Sequence, residues 1–245
     1  MQIRKPFIII FIAGIGFISL ILSACAYQSA KPLVTETYEL QDFSGLVIHG
    51  IGQVTITNGE VNSLTIVAEP AIIKNITHSI AEDTLYLDMT DDMSLASLDP
   101  RLSIQFLITA REVKSIQNFG SCSITGSDLS GKTLQIFQDA VGDITLSNLN
   151  YETVEVNLAG GGTVEINGSI NEQIINMDGA VRFSSSETPS KIINAHLTGN
   201  SQAVVWVTDL LNVDTAENAL FQFYGLPHDT YLGLIPENVH ALGQK

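Results

Sequence analysis

One short pattern of apolar residues recurs about every twenty positions between Leu134 and Gly225, and it restricts the possible folds more than any other feature. Each repeat begins with alternating apolar residues, passes a corner of small residues and usually returns in a second short strand. Asparagines mark four successive repeats at a nearly constant spacing: Asn157, Asn176, Asn194 and Asn212. Units of this length bury a core only against their neighbours. The pattern therefore predicts one domain of stacked β units, with little helix because no segment keeps the helical period.

The 245-residue chain carries 26 acidic against 11 basic residues, which gives a formal net charge of −15. A surface of this sign repels nucleic-acid phosphates, so we expect no nucleic acid among the partners. Acidity is also typical of a body held in water beside a membrane. The charge therefore excludes one class of partner and selects no other.

The N-terminus has the layout of an export signal. A short basic start precedes an apolar run at positions 7–22. A membrane-spanning helix needs about 20 apolar residues, so the run is short for an anchor and suits a signal peptide. It ends in Leu22-Ser23-Ala24-Cys25, which resembles the lipobox of bacterial lipoproteins.

Cys25 is the predicted site of lipid attachment. In lipobox chemistry the chain is cut between Ala24 and Cys25, and the cysteine sulfur forms a thioether to a diacylglyceryl group. Two or three acyl chains on one residue exceed what stable membrane anchoring needs. We therefore expect an exported lipoprotein of the cell envelope that contacts the membrane through this lipid. Ala26 resembles the sorting residue for the outer membrane in a cell with two membranes.

The rest of the chain divides by composition and periodicity. Residues 1–24 are the predicted signal peptide, and residues 25–42 are the lipidated cysteine and an aperiodic tether. Alternating strands begin near Phe43 and the repeats continue to residue 227, with a loop that lacks alternation at 90–101. Residues 228–245 are predicted to cap the last unit or to form a loose tail.

The order of short motifs between Phe43 and Pro227 resembles the family called the auto-transporter adhesin head GIN domain. Its opening and closing motifs are matched by Phe43, Leu46, Ile48, Gly50, Val54 and Ile56, and by Tyr224, Gly225 and Pro227. The corners depart from the Gly-Ser-Gly triplets of the family. The resemblance implies an all-β fold, a right-handed parallel β-helix (β-solenoid) with coils of about 20 residues, on the cell envelope. It implies adhesion through the family name alone.

In such a fold the strands stack about 4.8 Å apart, so equivalent residues of successive coils form columns. The four repeat asparagines would then form one column, either as a buried amide stack or as a row facing solvent. We favour the outward position, because the apolar residues beside them need the interior.

Parallel β-helices include polysaccharide lyases and hydrolases, so a carbohydrate-active enzyme is the alternative function. Such enzymes need clustered carboxylates, either for Ca²⁺ or for acid–base chemistry. The repeats carry scattered acids, and the five histidines have no spacing typical of a zinc site. We therefore predict no catalytic residue, no metal site and no cofactor. Cys122 has no disulfide partner if Cys25 carries lipid, and its interpretation is a small buried core residue.

Four aromatic residues near the end of the repeats form the candidate binding surface: Trp206, Phe221, Phe223 and Tyr224. Facing outward together, they would stack against sugar rings or a partner protein. The alternative, which we favour because a terminal coil must cover an open apolar end, is that they fill the core or cap the last coil. The sequence therefore predicts a lipid-anchored, non-catalytic adhesion, interaction or structural module, with a glycan or an envelope protein as its partner.

Overall fold

The structure, a computed structural model, describes residues 32–90, 103–233 and 235–245. The predicted signal peptide, Cys25 and most of the predicted loop at 90–101 lie outside the described residues. The chain is 71% strand and 3% helix and forms a β-solenoid of about six turns with a spacing of about 20 residues. Residues 32–245 form one compact unit around a single hydrophobic core. The predicted all-β parallel β-helix is confirmed.

The described residues contain seventeen strands, whose bounds follow in chain order. They are β1 Val34–Glu39, β2 Gly45–His49, β3 Ile51–Asn58, β4 Ser63–Ala68, β5 Ile76–Ala81, β6 Thr84–Met89, β7 Gln105–Ala110, β8 Ser115–Asn118, β9 Ser121–Ser127, β10 Ser130–Gln138, β11 Ile144–Leu158, β12 Gly161–Met177, β13 Ala180–Leu197, β14 Gln202–Thr215, β15 Leu220–Tyr224, β16 Asp229–Leu232 and β17 Val239–Gly243. A one-turn helix, α1, spans Pro70–Ile73, and a 3-10 helix spans Pro236–Asn238.

The strands from β10 to β14 stack in chain order, and each pairs in parallel with the next. The sequence separation of paired residues varies within the stack, from 20 for Leu134 with Val154 to 17 for Pro189 with Trp206 (154 − 134 and 206 − 189). Because side chains alternate along a strand, one residue in two points inward and forms an apolar column. One such column contains only buried residues: Val156, Ile175, Ala195 and Val213.

The N-terminal coils stack out of chain order. Strand β2 lies between β6 and β8, and β3 lies between β7 and β9, with all four pairings parallel. The coil of β2 and β3 therefore lies in the middle. The next strands in the chain, β6 and β7, stack on one side of it, and β8 and β9 stack on the other side. The inner face of this region is fully buried at Ile48, Ile56, Leu85 and Phe106.

The two ends of the solenoid close differently. At the N-terminal end, β1 and β5 pair antiparallel with β4 and β6, and α1 buries Ile72 and Ile73 against the core. At the C-terminal end, β16 and β17 add in parallel to β14 and β15. The segment predicted as a cap or tail is therefore largely one more coil.

The predicted asparagine column is corrected in its register. Asn157 lies opposite Asn176, and Asn194 lies opposite Asn212, but Asn176 lies opposite His196. Because the pairing of β12 with β13 is irregular, the residue opposite Asn176 is His196, which follows Asn194 in the chain. The outward position is confirmed, because Asn157, Asn176 and Asn194 are half-buried and Asn212 is exposed.

Candidate functional site

The coils turn along a short side formed by the first residues of β10 and the middle of β11, β12 and β13. This side carries an open groove of about 690 Å³. We call it the polar groove, and its lining residues are Ser130, Gly131, Asn150, Tyr151, Glu152, Ser169, Ile170, Asn171, Pro189 and Lys191. Paired positions on successive strands form its length, since Ser130 lies opposite Asn150 and Asn150 opposite Ser169.

The groove is shallow because small residues line it above a rigid floor. A Cβ atom on Gly131 would lie 2.9 Å from the Tyr151 ring, so this position has no room for a side chain. The Tyr151 side chain is 3% exposed and its hydroxyl donates a 2.8 Å hydrogen bond to the Val113 carbonyl. Burial, assisted by the charge of Glu112, raises the pKa of this phenol. Tyr151 is therefore part of the floor and keeps its proton at neutral pH.

The chemistry of the groove lining is that of polar, mostly uncharged groups. Two amides (Asn150, Asn171) and two hydroxyls (Ser130, Ser169) offer both donors and acceptors. Glu152 and Lys191 add one charge of each sign, so the lining is close to neutral. Such a surface can exchange hydrogen bonds with a ligand rich in hydroxyls along several coils.

The groove continues into an aromatic surface at its C-terminal end. Pro189 of the groove lies opposite Trp206, and Trp206 lies opposite Tyr224 on the next strand. The Lys245 Nζ atom lies 5.9 Å from the Trp206 ring centroid and 5.1 Å from that of Tyr224, within the range of a cation–π contact. It also donates a 3.0 Å hydrogen bond to the Ser186 carbonyl and forms an ion pair with Glu187.

The structure divides the four aromatic residues of the predicted surface. Trp206 and Tyr224 are half-buried and adjacent on the outside. Phe221 is 0% exposed in the core and therefore contributes no ring to any surface. Phe223 is partly buried and packs against the core. Lys245, which sequence reasoning missed, reaches these rings from the end of the chain, and no local signal could have indicated the contact.

A second outward patch of aromatic residues lies on the face that contains β2, β8 and β10. The Phe119 ring is 5.2 Å from the His49 ring and 5.2 Å from the Phe137 ring, between centroids. His49 Nδ1 is 2.7 Å from an oxygen of Asp88. Phe119 is 41% exposed. The patch continues into a hollow of about 340 Å³ beside Phe137. At this hollow His196 Nδ1 lies 3.3 Å from a carboxylate oxygen of Asp214.

The cysteines and acids give no sign of a reactive centre in the part of the chain that the structure describes. Cys122 is 1% exposed, and burial raises the pKa of its thiol to about 12, so the thiolate is scarce at neutral pH. Within residues 32–90, 103–233 and 235–245, no group of three or more His, Cys, Asp or Glu residues is placed to hold a metal ion. In the same ranges no helix has the length and apolar character to cross a membrane.

Three solved structures resemble this fold over most of its length. A "putative adhesin" from Bacteroides fragilis NCTC 9343 is 17% identical, with a TM-score of 0.78 over 88% of this chain and 96% of that one. A "putative lipid binding protein" from Parabacteroides distasonis ATCC 8503 is 12% identical, with a TM-score of 0.63 over 86% and 96%. A "putative adhesin" from the same strain is 11% identical, with a TM-score of 0.59 over 86% and 98%. At these identities the likeness concerns the fold.

No curated protein matches the chain in sequence. A protein family does match, over residues 42–227, and its description is "Putative auto-transporter adhesin, head GIN domain". This range begins one residue before the buried Phe43 and extends past the end of β15. It therefore includes the polar groove and the rings of Trp206 and Tyr224. The chain therefore belongs to the GIN-domain family of auto-transporter adhesin heads.

Proposed function

We propose that this protein is a lipid-anchored adhesion module of the cell envelope that binds an extended, uncharged glycan along the polar groove without cleaving it. The observation that carries the proposal is the groove itself, where amide and hydroxyl side chains recur on successive strands. Strands spaced about 4.8 Å apart repeat these groups at nearly regular intervals. A polymer with regularly spaced hydroxyls can therefore form similar hydrogen bonds with several coils.

The charge and the lining of the groove favour a neutral glycan over other ligands. A formal charge of −15 repels polyanions, so acidic polysaccharides and nucleic acids are disfavoured. A lipid tail needs an apolar, enclosed cavity, whereas this groove is open and lined mainly by polar residues. The Trp206 and Tyr224 rings beyond Pro189 offer the flat apolar surface against which a sugar ring stacks.

A polysaccharide-cleaving enzyme is less well supported by the geometry. Glycosidases of the usual kind use a pair of carboxyl groups within about 10 Å across the scissile bond. Glu152 is the sole carboxylate among the residues that line the groove in the described part of the chain. Binding without cleavage is therefore the function that this lining supports.

The proposed location rests on the N-terminal sequence. Residues 1–24 have the layout of a signal peptide, and Leu22-Ser23-Ala24-Cys25 resembles a lipobox. A cell-envelope location agrees with a family named for adhesin heads. Metabolic labelling with a fatty acid tests this proposal. We expect label on the wild-type chain and none on Cys25→Ser, and label that persists in Cys25→Ser would refute the site.

A glycan array probed with residues 32–245 tests the binding proposal. This unit contains its own core and can be studied without residues 1–31; it includes β1 (Val34–Glu39), a paired strand inside the segment 25–42 that the sequence predicted to be an aperiodic tether. The informative variant is Ser169→Tyr, which fills the middle of the groove from an exposed position. The matched control is Ser123→Tyr, at a strand serine of β9 that is also exposed and lies away from the groove.

We expect the unit to bind neutral glycans, with affinity at least about tenfold weaker in Ser169→Tyr and unchanged in Ser123→Tyr. Equal loss in both variants, or binding to no glycan, would refute the groove as the site. Release of shorter products from a bound glycan would favour the enzyme instead. Loss of that release in Glu152→Gln would then identify the acid.

A further inference from the structure

The inner surface of the last coil is open. Leu232 in β16 lies opposite Val213, which is 1% exposed, yet Leu232 itself is 44% exposed because no described residue covers it. Ala241 in β17 is also exposed, although it continues an inward column. By contrast, Leu64 in β4 and Leu85 in β6, toward the other end of the solenoid, are completely buried. Among the described residues, the core is therefore covered at the N-terminal end and left uncovered at the C-terminal end.

Exposed apolar residues concentrate at this end. Of nine large hydrophobic residues that are exposed in the described chain, four lie at or beyond position 226: Leu226, Tyr231, Leu232 and Leu242. Repeat proteins normally need a polar cap at each end to stay soluble as monomers. An open end of this kind is therefore a candidate docking surface.

The same end presents unpaired strand edges. In the described chain β16 pairs with β14 and β17 pairs with β15, so the outer backbone groups of both strands have no strand beside them. The sequence of β17, Val-His-Ala-Leu-Gly, contains no acidic or basic residue apart from histidine. At the other end the edge strand β1, Val-Thr-Glu-Thr-Tyr-Glu, carries two glutamates, whereas the edge strand β5, Ile-Thr-His-Ser-Ile-Ala, has no charged residue apart from histidine. Charged edges resist pairing with another chain, and uncharged ones permit it.

We propose that this C-terminal end, formed by β16 and β17, docks onto the same end of a second copy of the chain. A two-fold axis across the end faces brings edge strands together antiparallel, which completes their hydrogen bonds, and it buries the inner face of both last coils. At the other end β1, β5 and α1 pack over the core, so the described residues leave no comparable apolar face there for a second copy to bury. Association therefore stops at a dimer and forms no filament.

The distribution of charge fits a second copy as the partner. Two identical chains of formal charge −15 repel each other, so they approach best where charge is lowest. From position 226 to the end, the chain contains two acids, Asp229 and Glu237, and one base, Lys245. Lys245 is already paired with Glu187. The end faces therefore meet with little mutual repulsion.

The position of the N-terminus gives the dimer a geometric consequence. Strand β1 begins at Val34 and is the outermost strand of the capped end. A tail-to-tail dimer thus keeps its two β1 strands at opposite extremes. With the lipid that the proposed function places on Cys25, such a dimer would link two facing membranes; this consequence rests on the proposed function.

Sedimentation of residues 32–245 over a range of concentrations tests the docking surface independently of any glycan or lipid. The informative variant is Leu232→Glu, which places a charge on the open face. The matched control is Leu107→Glu on β7, a strand leucine that is 42% exposed and lies away from this end. Thermal melting confirms that both variants fold.

We expect a monomer–dimer equilibrium that Leu232→Glu weakens at least about tenfold, because two unpaired charges would be buried per dimer, while Leu107→Glu leaves it unchanged. A monomer at every concentration would overturn the proposal. So would growth beyond a dimer, or a dimer that Leu107→Glu weakens as much as Leu232→Glu. None of these outcomes depends on glycan binding.

Discussion

The N-terminal region (β1 to β9) and the C-terminal coils (β10 to β17) build the same parallel stack by different routes. In the C-terminal coils each strand pairs with the strand one coil later, as Leu134 does with Val154. In the N-terminal region Val47 pairs with Gln117 and Val54 with Ile124, so several strands lie between the partners in the chain. Closing so long a loop costs more chain entropy than closing one coil.

This difference separates two kinds of cooperativity. Coils that contact only their neighbours can open one by one from a free end. The first coil, which is sandwiched between β6–β7 and β8–β9, cannot leave without disrupting both neighbours. We therefore expect the N-terminal region to unfold as a unit and the C-terminal coils to fray.

The largest effects should come from removing a buried ring in each region. Phe106 in β7 and Phe221 in β15 are 1% and 0% exposed. Phe106→Ala and Phe221→Ala should each cost about 3–5 kcal/mol at their own site, through lost burial and the cavity left behind. Hydrogen exchange should show that Phe106→Ala raises exchange across β2 to β9, whereas Phe221→Ala raises it only in β14 to β17. If raised exchange spread over equally many strands in both variants, the expected difference in cooperativity between the two regions would be wrong.

The next effect concerns a close contact inside the N-terminal region, between the coil of β2 and β3 and the coil of β8 and β9. A Cβ atom on Gly120, after β8, would lie 2.0 Å from the Gly50 carbonyl oxygen, so the two coils touch through backbone there. Gly120→Ala should cost about 3 kcal/mol, because neither backbone can move away without breaking strand pairs. The control is Gly243→Ala in the open coil, where φ is +98° but nothing lies within 4 Å. Its cost should be about 1 kcal/mol of backbone strain.

Chemical denaturation measures both glycine variants. A cost for Gly120→Ala no larger than that for Gly243→Ala would show that the contact between Gly120 and Gly50 is loose. The comparison would then lose its physical basis, since the sandwiched coil would not be held by close contact.

The two regions also differ in how much the sequence reveals. The C-terminal coils repeat a local pattern, so their strands, outward asparagines and inward apolar columns were predictable from periodicity. The N-terminal order, with β2 between β6 and β8, was not, because side-chain alternation indicates a strand and not its neighbours. The predicted alignment of Asn176 with Asn194 was wrong for a related reason. The spacing of residues along the chain does not give the register of two strands whose pairing is irregular.

The candidate site was predictable only in part. Outward rings at Trp206 and Tyr224 follow from local alternation. The polar groove does not, since serine and asparagine in strands look like any solvated face and only stacking places them side by side. Lys245 over the two rings, and Gln138 donating from the interior to the Gly142 and Gly161 carbonyls, are likewise contacts between coils.

A smaller effect tests the link between the regions through Tyr151. Its hydroxyl in β11 donates to the Val113 carbonyl, just before β8, so Tyr151→Phe should cost about 1 kcal/mol at neutral pH. The pKa of this phenol is raised in the folded state by burial. Its contribution is therefore fully present below the unfolded pKa near 10 and is lost as the pH rises beyond that value.

Unfolding curves from pH 7 to pH 11 should thus fall less steeply above pH 10 in Tyr151→Phe than in the wild type. The Cys122 thiol, whose pKa is raised by burial from 9.0 to about 12, adds a loss of the same sign that starts at lower pH. Cys122→Ala is the variant that separates the two contributions. Parallel pH profiles for wild type and Tyr151→Phe would contradict the buried hydrogen bond.

The smallest effect is expected on the outer surface of the C-terminal coils. Asn176 is half-buried and donates a 2.9 Å hydrogen bond to Asn157 across the strand pair. Asn176→Asp should change the free energy of unfolding by less than about 1 kcal/mol, because water reaches the new carboxylate and the Asn157 amide can turn its donor toward it.

The control lies inside the N-terminal region, where Asn118 is 0% exposed and accepts from the Gly120 amide. Asn118→Asp should cost several times more, since it buries a charge. Similar costs for both substitutions in denaturant titrations would mean that the outward amides belong to the core.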